Sequence, residues 1–160
     1  MTARIIDGKS VAESIRTEIA AEVAHRVGAG ARPPGLAVVI VGEDPASLVY
    51  VRNKRRAAEA AGFHSVLREL PATTAQAELH AEIDRLNADP RIDAILCQSP
   101  LPKGLDESAV VLRIDPEKDV DGFHPIDVGR LASGLPGFVP CTPLGIIELL
   151  KRYEIPTRGR

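Results

Sequence analysis

Tyr50 and Lys54 stand four residues apart in Ser47-Leu-Val-Tyr-Val-Arg-Asn-Lys54, with Ser47 three residues ahead of Tyr50. On an α-helix these positions share one face. The pair would supply a flat ring carrying a hydroxyl and, beside it, a movable proton carrier. Arg52, Arg55 and Arg56 crowd the same segment. Like charge at that range disfavours the ammonium form and would draw Lys54 toward the neutrality a general base needs. On spacing alone, a solvated basic helix face is the favoured reading.

Gln98 closes an apolar run and precedes Ser99-Pro-Leu-Pro102. A side-chain amide there offers both a donor and an acceptor to a ligand, or it is simply a polar strand end. Cys97 beside it reads as a buried, inert thiol rather than a nucleophile. Asp119-Val-Asp121-Gly122 opens like a calcium loop, but the twelfth position is Arg130, where a bidentate Glu is needed. A loop carboxylate that binds a nitrogen heterocycle and an ordinary Asx turn both remain open there. His124 alone is too weak a signal for a catalytic base. The sequence has no GxxxxGK[ST] loop, and Gly28-Ala-Gly30 precedes a strand instead of following one, so no nucleotide fingerprint is evident.

Positioning these groups requires a framework, and the periodicities supply one. Val11, Ile15, Ile19, Val23 and Val27 predict an amphipathic helix over about Lys9 to Val27, ended by Gly28. Leu36 to Gly42 reads as a strand buried on both faces, followed by a helix from Pro45 to about Ala61. A strand over His64–Leu70 comes next. A helix to about Asn87, begun by a Thr73/Gln76 capping box, then leads to a strand over Ile92–Cys97. Asp106 caps a short helix through Val111. Pro116 to Pro143 is expected to be largely irregular, and Thr142 as N-cap with Pro143 as first residue starts a last helix through Tyr153. Alternation of this kind predicts an α/β fold, three-layer α/β/α with a mainly parallel sheet. Ligands of such sheets bind beyond the carboxyl ends of the strands, which here carry Gly42–Ser47 and Gln98–Pro102.

Composition narrows the function classes. The 160 residues are 44% hydrophobic and 26% charged, with a net charge of −2 and aromatics at only 3%. Neither a basic footprint nor a base-stacking surface for nucleic acid is present. No apolar run approaches a membrane span, and the N-terminus lacks a signal-peptide core. Cys97 and Cys141 lie far apart, without metal or redox spacing, so a cytoplasmic protein with reduced thiols and no metal is expected.

Seven segments in order resemble the bifunctional methylenetetrahydrofolate dehydrogenase/methenyltetrahydrofolate cyclohydrolase family. They are Ile5-Ile-Asp-Gly-Lys9, Pro34 through Gly42, Asp44-Pro-Ala-Ser47, Tyr50-Val-Arg-Asn-Lys54, Gln98-Ser-Pro-Leu-Pro102, Lys118-Asp-Val-Asp-Gly-Phe123 and Pro140-Cys-Thr-Pro143. The resemblance implies oxidation of 5,10-methylenetetrahydrofolate by NADP and hydrolysis of the methenyl product to 10-formyltetrahydrofolate. It assigns Lys54 as the catalytic lysine, with Tyr50 packing on the folate ring and Gln98 helping to set the state of Lys54. Asp121 would anchor the pterin, and Ser47, Cys97 and Ser99 would complete the substrate contacts. Three positions depart from the family pattern: Ser99 for Leu, Cys97 for a β-branched residue and Asp127 for Asn.

The resemblance also implies that residues 1–153 form a folate-binding catalytic domain and that 154–160 lead toward a Rossmann-type NADP domain absent from this sequence. On that expectation the chain is a fragment or truncated product with no cofactor-binding residues of its own, drawn from a cytoplasmic homodimer. The alternative is a non-catalytic folate-binding or assembly module.

Overall fold

Strand β1 (Gly35–Val41) is buried over almost its whole length because both its faces are covered. In the computed structural model, which describes residues 3–159, β1 lies between β2 (His64–Leu70) and β3 (Ala94–Cys97), in the order β2-β1-β3 with every pairing parallel. Side chains alternate along a strand, so Ala37, Val39 and Val41 face one way and Val38 and Ile40 the other. The first set packs with Leu79, Ile83 and Leu86 of helix α3 (Gln76–Ala88) and Val110 of α4 (Glu107–Arg113). The second packs with Val51 of α2 (Pro45–Ala60). The expected α/β arrangement of helices on both faces of a parallel sheet is therefore present. The chain reverses its direction of travel across the sheet at β1, leaving a crevice at the carboxyl ends of β1 and β3.

Several boundaries and caps differ from those read in the sequence. β3 begins at Ala94, not Ile92, because the Asp93 carboxylate itself takes the N–H of Gly35 at 2.7 Å and both terminal nitrogens of Arg32. Helix α3 does not use a Thr73/Gln76 box. Glu78 instead reaches back to the Ala75 N–H at 2.9 Å, while Gln76 binds the backbone of Asp106. The stretch expected to be irregular holds a turn of 3-10 helix (Pro116–Lys118) and helix α5 (Pro125–Ala132). His124 caps α5 by accepting from the Ile126 N–H, and Pro125 occupies its first position, where a missing N–H costs nothing. The last helix, α6 (Cys141–Arg152), starts before Thr142, and its N-cap is Pro140. Pro143 is tolerated as the third residue because the first-turn amides have no partner within a helix.

Helix α1 (Gly8–Gly28) carries the predicted apolar stripe, yet only Val23 of it is buried, against Gly62. Its other attachment is to α6: Arg152 donates to both carboxylate oxygens of Glu18 at 2.6 Å. Hydrogen bonds from Arg152 and then Ser14 hold Glu18 at about 2, below its ordinary 4.5. A depressed carboxylate contributes stability above its unfolded value and loses it as pH falls through the folded one. NMR signals from Leu149 and Leu150 should therefore shift between pH 4.5 and about 2 as the α1–α6 clasp opens. Arg152→Ala should remove that transition, with little cost in global stability because the pair is exposed. Among the described residues no helix is long and apolar enough to cross a membrane.

Candidate active site

The start of α2 is set by Asp44, whose carboxylate accepts from the Ser47 N–H at 2.8 Å and is held below the usual carboxylate range by that bond. Ser47 is thereby buried in the first turn. One helical face further along, Tyr50 lies 64% exposed and Lys54 is part-buried. Lys54 Nζ reaches across the crevice and donates to Gln98 Oε1 at 3.0 Å. Gln98 in turn donates from Nε2 to the Ser99 carbonyl at 2.7 Å, which fixes which end of its amide faces the lysine.

A cavity of about 170 Å3 opens at this point, lined by Lys54, Cys97, Gln98, Ser99, Asp119 and Asp121, with Phe123 at its edge. A second, of about 430 Å3, shares Cys97, Ser99 and Phe123 and extends over Leu101, Val110 and Leu112. The two together offer a polar end and a mostly apolar extension, as an elongated ligand requires. Of the residues singled out in the sequence, Lys54, Cys97, Gln98, Ser99 and Asp121 meet here. Tyr50 flanks the cavity from the preceding helical turn without lining it, and Ser47 is turned into the α2 cap.

The electrostatics are not those expected from the arginines. Arg52, Arg55 and Arg56 are exposed, and Arg55 pairs with Glu59 at 2.7 Å. The charges that share the cavity with Lys54 are carboxylates. Burial pushes Asp121 above the usual carboxylate range, the nearby Lys54 cation pulls it back, and Asp119 pushes it up further. The Cys97 thiol is driven to about 12 by burial, then by Glu107 and Asp121, so it remains protonated and unreactive at neutral pH.

Glu107 escaped the sequence reading. Its carboxylate accepts from the Leu101 N–H at 2.7 Å and the Ser99 hydroxyl at 3.2 Å, bracketing the turn whose carbonyl orients Gln98. An acidic residue in the first turn of a helix ordinarily signals only a favourable dipole contact. Nothing local discloses that it reaches back six residues. Glu107→Ala should speed amide exchange at Leu101 by about tenfold, an opening of ~1.4 kcal/mol, because the Ser99–Leu101 turn that orients Gln98 is released. Glu107→Gln, which keeps an acceptor for Leu101, should recover most of the protection. Amide exchange and thermal melts of the two variants check this, and melts should change little.

A dinucleotide pyrophosphate does not fit at the start of α2. The β1–α2 connection, Gly42-Glu43-Asp44-Pro45, has one glycine, and the Asp44 carboxylate already occupies the helix N-terminus where a pyrophosphate would bind. Among the described residues no group of His, Cys, Asp and Glu is placed to hold a metal ion.

Known proteins share this architecture. The family model described as tetrahydrofolate dehydrogenase/cyclohydrolase, catalytic domain, matches residues 6–121. The bifunctional protein FolD of Desulfovibrio desulfuricans is 59% identical over 156 residues, covering 98% of this chain and 55% of that protein. A solved 5,10-methylenetetrahydrofolate dehydrogenase from the silkworm, Bombyx mori, superposes with a TM-score of 0.96 at 44% identity, over 99% of this chain and 55% of its own. The Trypanosoma brucei N5,N10-methylenetetrahydrofolate dehydrogenase-cyclohydrolase, solved with NADP cofactor and inhibitor, gives a TM-score of 0.92 at 40% identity, over 100% of this chain and 55% of its own. The chain thus spans about half the length of these relatives.

Proposed function

The chain belongs to the tetrahydrofolate dehydrogenase/cyclohydrolase family, and from that premise we propose that it supplies the folate site for two successive reactions. These are oxidation of 5,10-methylenetetrahydrofolate to the methenyl compound with NADP as hydride acceptor, and hydrolysis of that product to 10-formyltetrahydrofolate. The observation that carries this reading is the Lys54–Gln98 hydrogen bond at the mouth of the carboxylate-lined cavity.

In the hydrolytic step water adds to the methenyl carbon of a cationic substrate and loses a proton. The bond from that carbon to N5 then breaks, N5 takes up a proton, and the formyl group stays on N10. Lys54 is the group that accepts and returns the proton. Its partner Gln98 suits this role because a neutral amide oxygen orients the Lys54 nitrogen without adding a further negative charge beside it. Asp121 complements the substrate's positive charge and accepts hydrogen bonds from the pterin, while Tyr50 packs on the ring system. Cys97 and Ser99 form the wall of the pocket. NADP supplies hydride acceptance when bound, as in the solved relative that holds it.

Residues 1–153 are read as the folate-binding unit, with 154–160 leading from it. Exposed apolar residues on α6, Leu144, Ile146 and Ile147, support a further domain packing there. The free thiols Cys97 and Cys141 suit the cytoplasm, and the family reading extends to a homodimer. The test is the loss of methenyltetrahydrofolate absorbance with the purified chain. A rate above buffer that depends on Lys54 supports the catalytic reading. Tight tetrahydrofolate binding with no hydrolysis would leave a non-catalytic binding module instead.

A further inference from the structure

Asp127 is wholly buried in the first turn of α5, and its two oxygens are treated unequally. Oδ1 accepts from the Phe138 N–H at 3.3 Å and lies 3.4 Å from Arg130 Nη1. Oδ2 is buried with no hydrogen-bond partner among the described residues. Arg130 is drawn away toward Glu117, which it meets at 2.6 Å. A carboxylate so placed is expensive to bury, and neither the fold nor the proposed chemistry uses it directly.

Its one backbone contact leads to the site. Beyond Phe138 the chain runs as a strap across Gly122: a Cβ on that glycine would lie 3.0 Å from Pro140 N and Val139 C and 3.1 Å from the Phe138 carbonyl oxygen. The far end is fastened by Cys141, whose thiol reaches the Val120 carbonyl at 3.5 Å. The strap therefore leaves no room for a side chain on the residue next to Asp121. From the opposite side the same loop is held by the Ile95–Asp119 bridge and by the His124 N–H on Asp119 at 2.6 Å. Gly122 takes φ +65, which glycine adopts at no steric cost, so the contacts on both sides and not local strain hold the loop.

We propose that Asp127 is a positioning residue that sets the Asp121 carboxylate by tying the 138–140 strap down over Gly122. Its effect on folate rests on the reading of Asp121 as the pterin anchor, but the strap itself is independent of that reading. Three variants and two measurements test it in the 160-residue chain. Asp127→Leu removes the acceptor with the same γ-branched shape but a larger side chain, and Asp127→Asn keeps an acceptor at nearly the same volume. Gly137→Ala keeps the carboxyl group but sets a Cβ 2.9 Å from both Asp127 Oδ1 and Arg130 Cδ, so the junction between Asp127 and the strap must shift.

Asp127→Leu and Gly137→Ala should each speed amide exchange at Gly122 and His124 by about tenfold while leaving β1 amides unchanged, the signature of local opening. Both should weaken binding of 5-formyltetrahydrofolate, an air-stable probe, by about the same factor. Asp127→Asn should stay within about twofold of the parent on both readouts. Unchanged exchange at Gly122 in Gly137→Ala would overturn the proposal even if Asp127→Leu fails to fold. So would acceleration spread evenly over β1. Failure of the parent chain to bind the probe would count against the folate reading alone, because the exchange measurements still decide the strap.

Discussion

Lys54→Met should bring hydrolysis of 5,10-methenyltetrahydrofolate down by about 10²-fold or more, the ordinary worth of a positioned acid–base group. Methionine keeps the length and apolar stem of the lysine and loses only the amine. Among the described residues the bond to Gln98 is the only hydrogen bond of this side chain, and the residue is part-buried on a surface helix, so folding should hardly notice. Absorbance kinetics on the purified variant, set beside its thermal melt, separate chemistry from stability. Gln98→Glu sharpens the result. It preserves a partner for Lys54 but replaces a neutral acceptor by a carboxylate, which would hold the lysine as its ammonium ion. Comparable loss in that variant, with activity returning as pH is raised, would identify the free amine as the working form. Full activity in Lys54→Met would remove Lys54 from the mechanism.

Gly35→Ala should cost the fold more than any substitution at the site. A Cβ at Gly35 would overlap the Arg91 carbonyl oxygen and lie 2.8 Å from Arg91 C and 2.9 Å from Ile92 Cα. All three are backbone atoms, so no side chain can swing away. Relief requires β1 to part from the segment entering β3, which breaks the Asp93 contacts to the Gly35 N–H and to Arg32. A loss of about 3 kcal/mol is expected, lowering Tm by about 10 °C in a chain of this size. Gly28→Ala is the control, because nothing lies within 4 Å of a Cβ there. Its melt should stay close to the parent's, and equal destabilisation by both would show that the β1–β3 approach is not what Gly35 protects.

The elements nearest the site were readable because their signals are short-range. The apolar run over β1, the Pro at the start of α2 and the His64–Leu70 strand each follow from a few adjacent residues. Helix α5 was missed because its cap is a histidine, whose ring nitrogen does what Ser or Asp usually does, and because its residues lie among prolines and glycines. The α1 stripe misled in another way. Periodicity marks a face suited to burial, but whether that face is covered depends on what packs on it, and here only Val23 is buried.

The Tyr50 and Lys54 face follows from local spacing, since residues four apart on a helix must stack whatever else the chain does. Spacing alone favoured solvent over a site for that face. What lifts Lys54 out of that ambiguity is Gln98, which lies 44 residues away in sequence and meets it only because β3 settles beside β1. Glu107 likewise turns back eight residues onto the Ser99 turn, whereas the Ser47 cap and the Arg55–Glu59 pair are contacts within a single turn of α2. Helix and strand periods are properties of a few neighbouring residues, so the sequence determined them unaided. The strand order and the cavity that Lys54 shares with the end of β3 depend on which distant surfaces bury one another, so only the tertiary structure decided them.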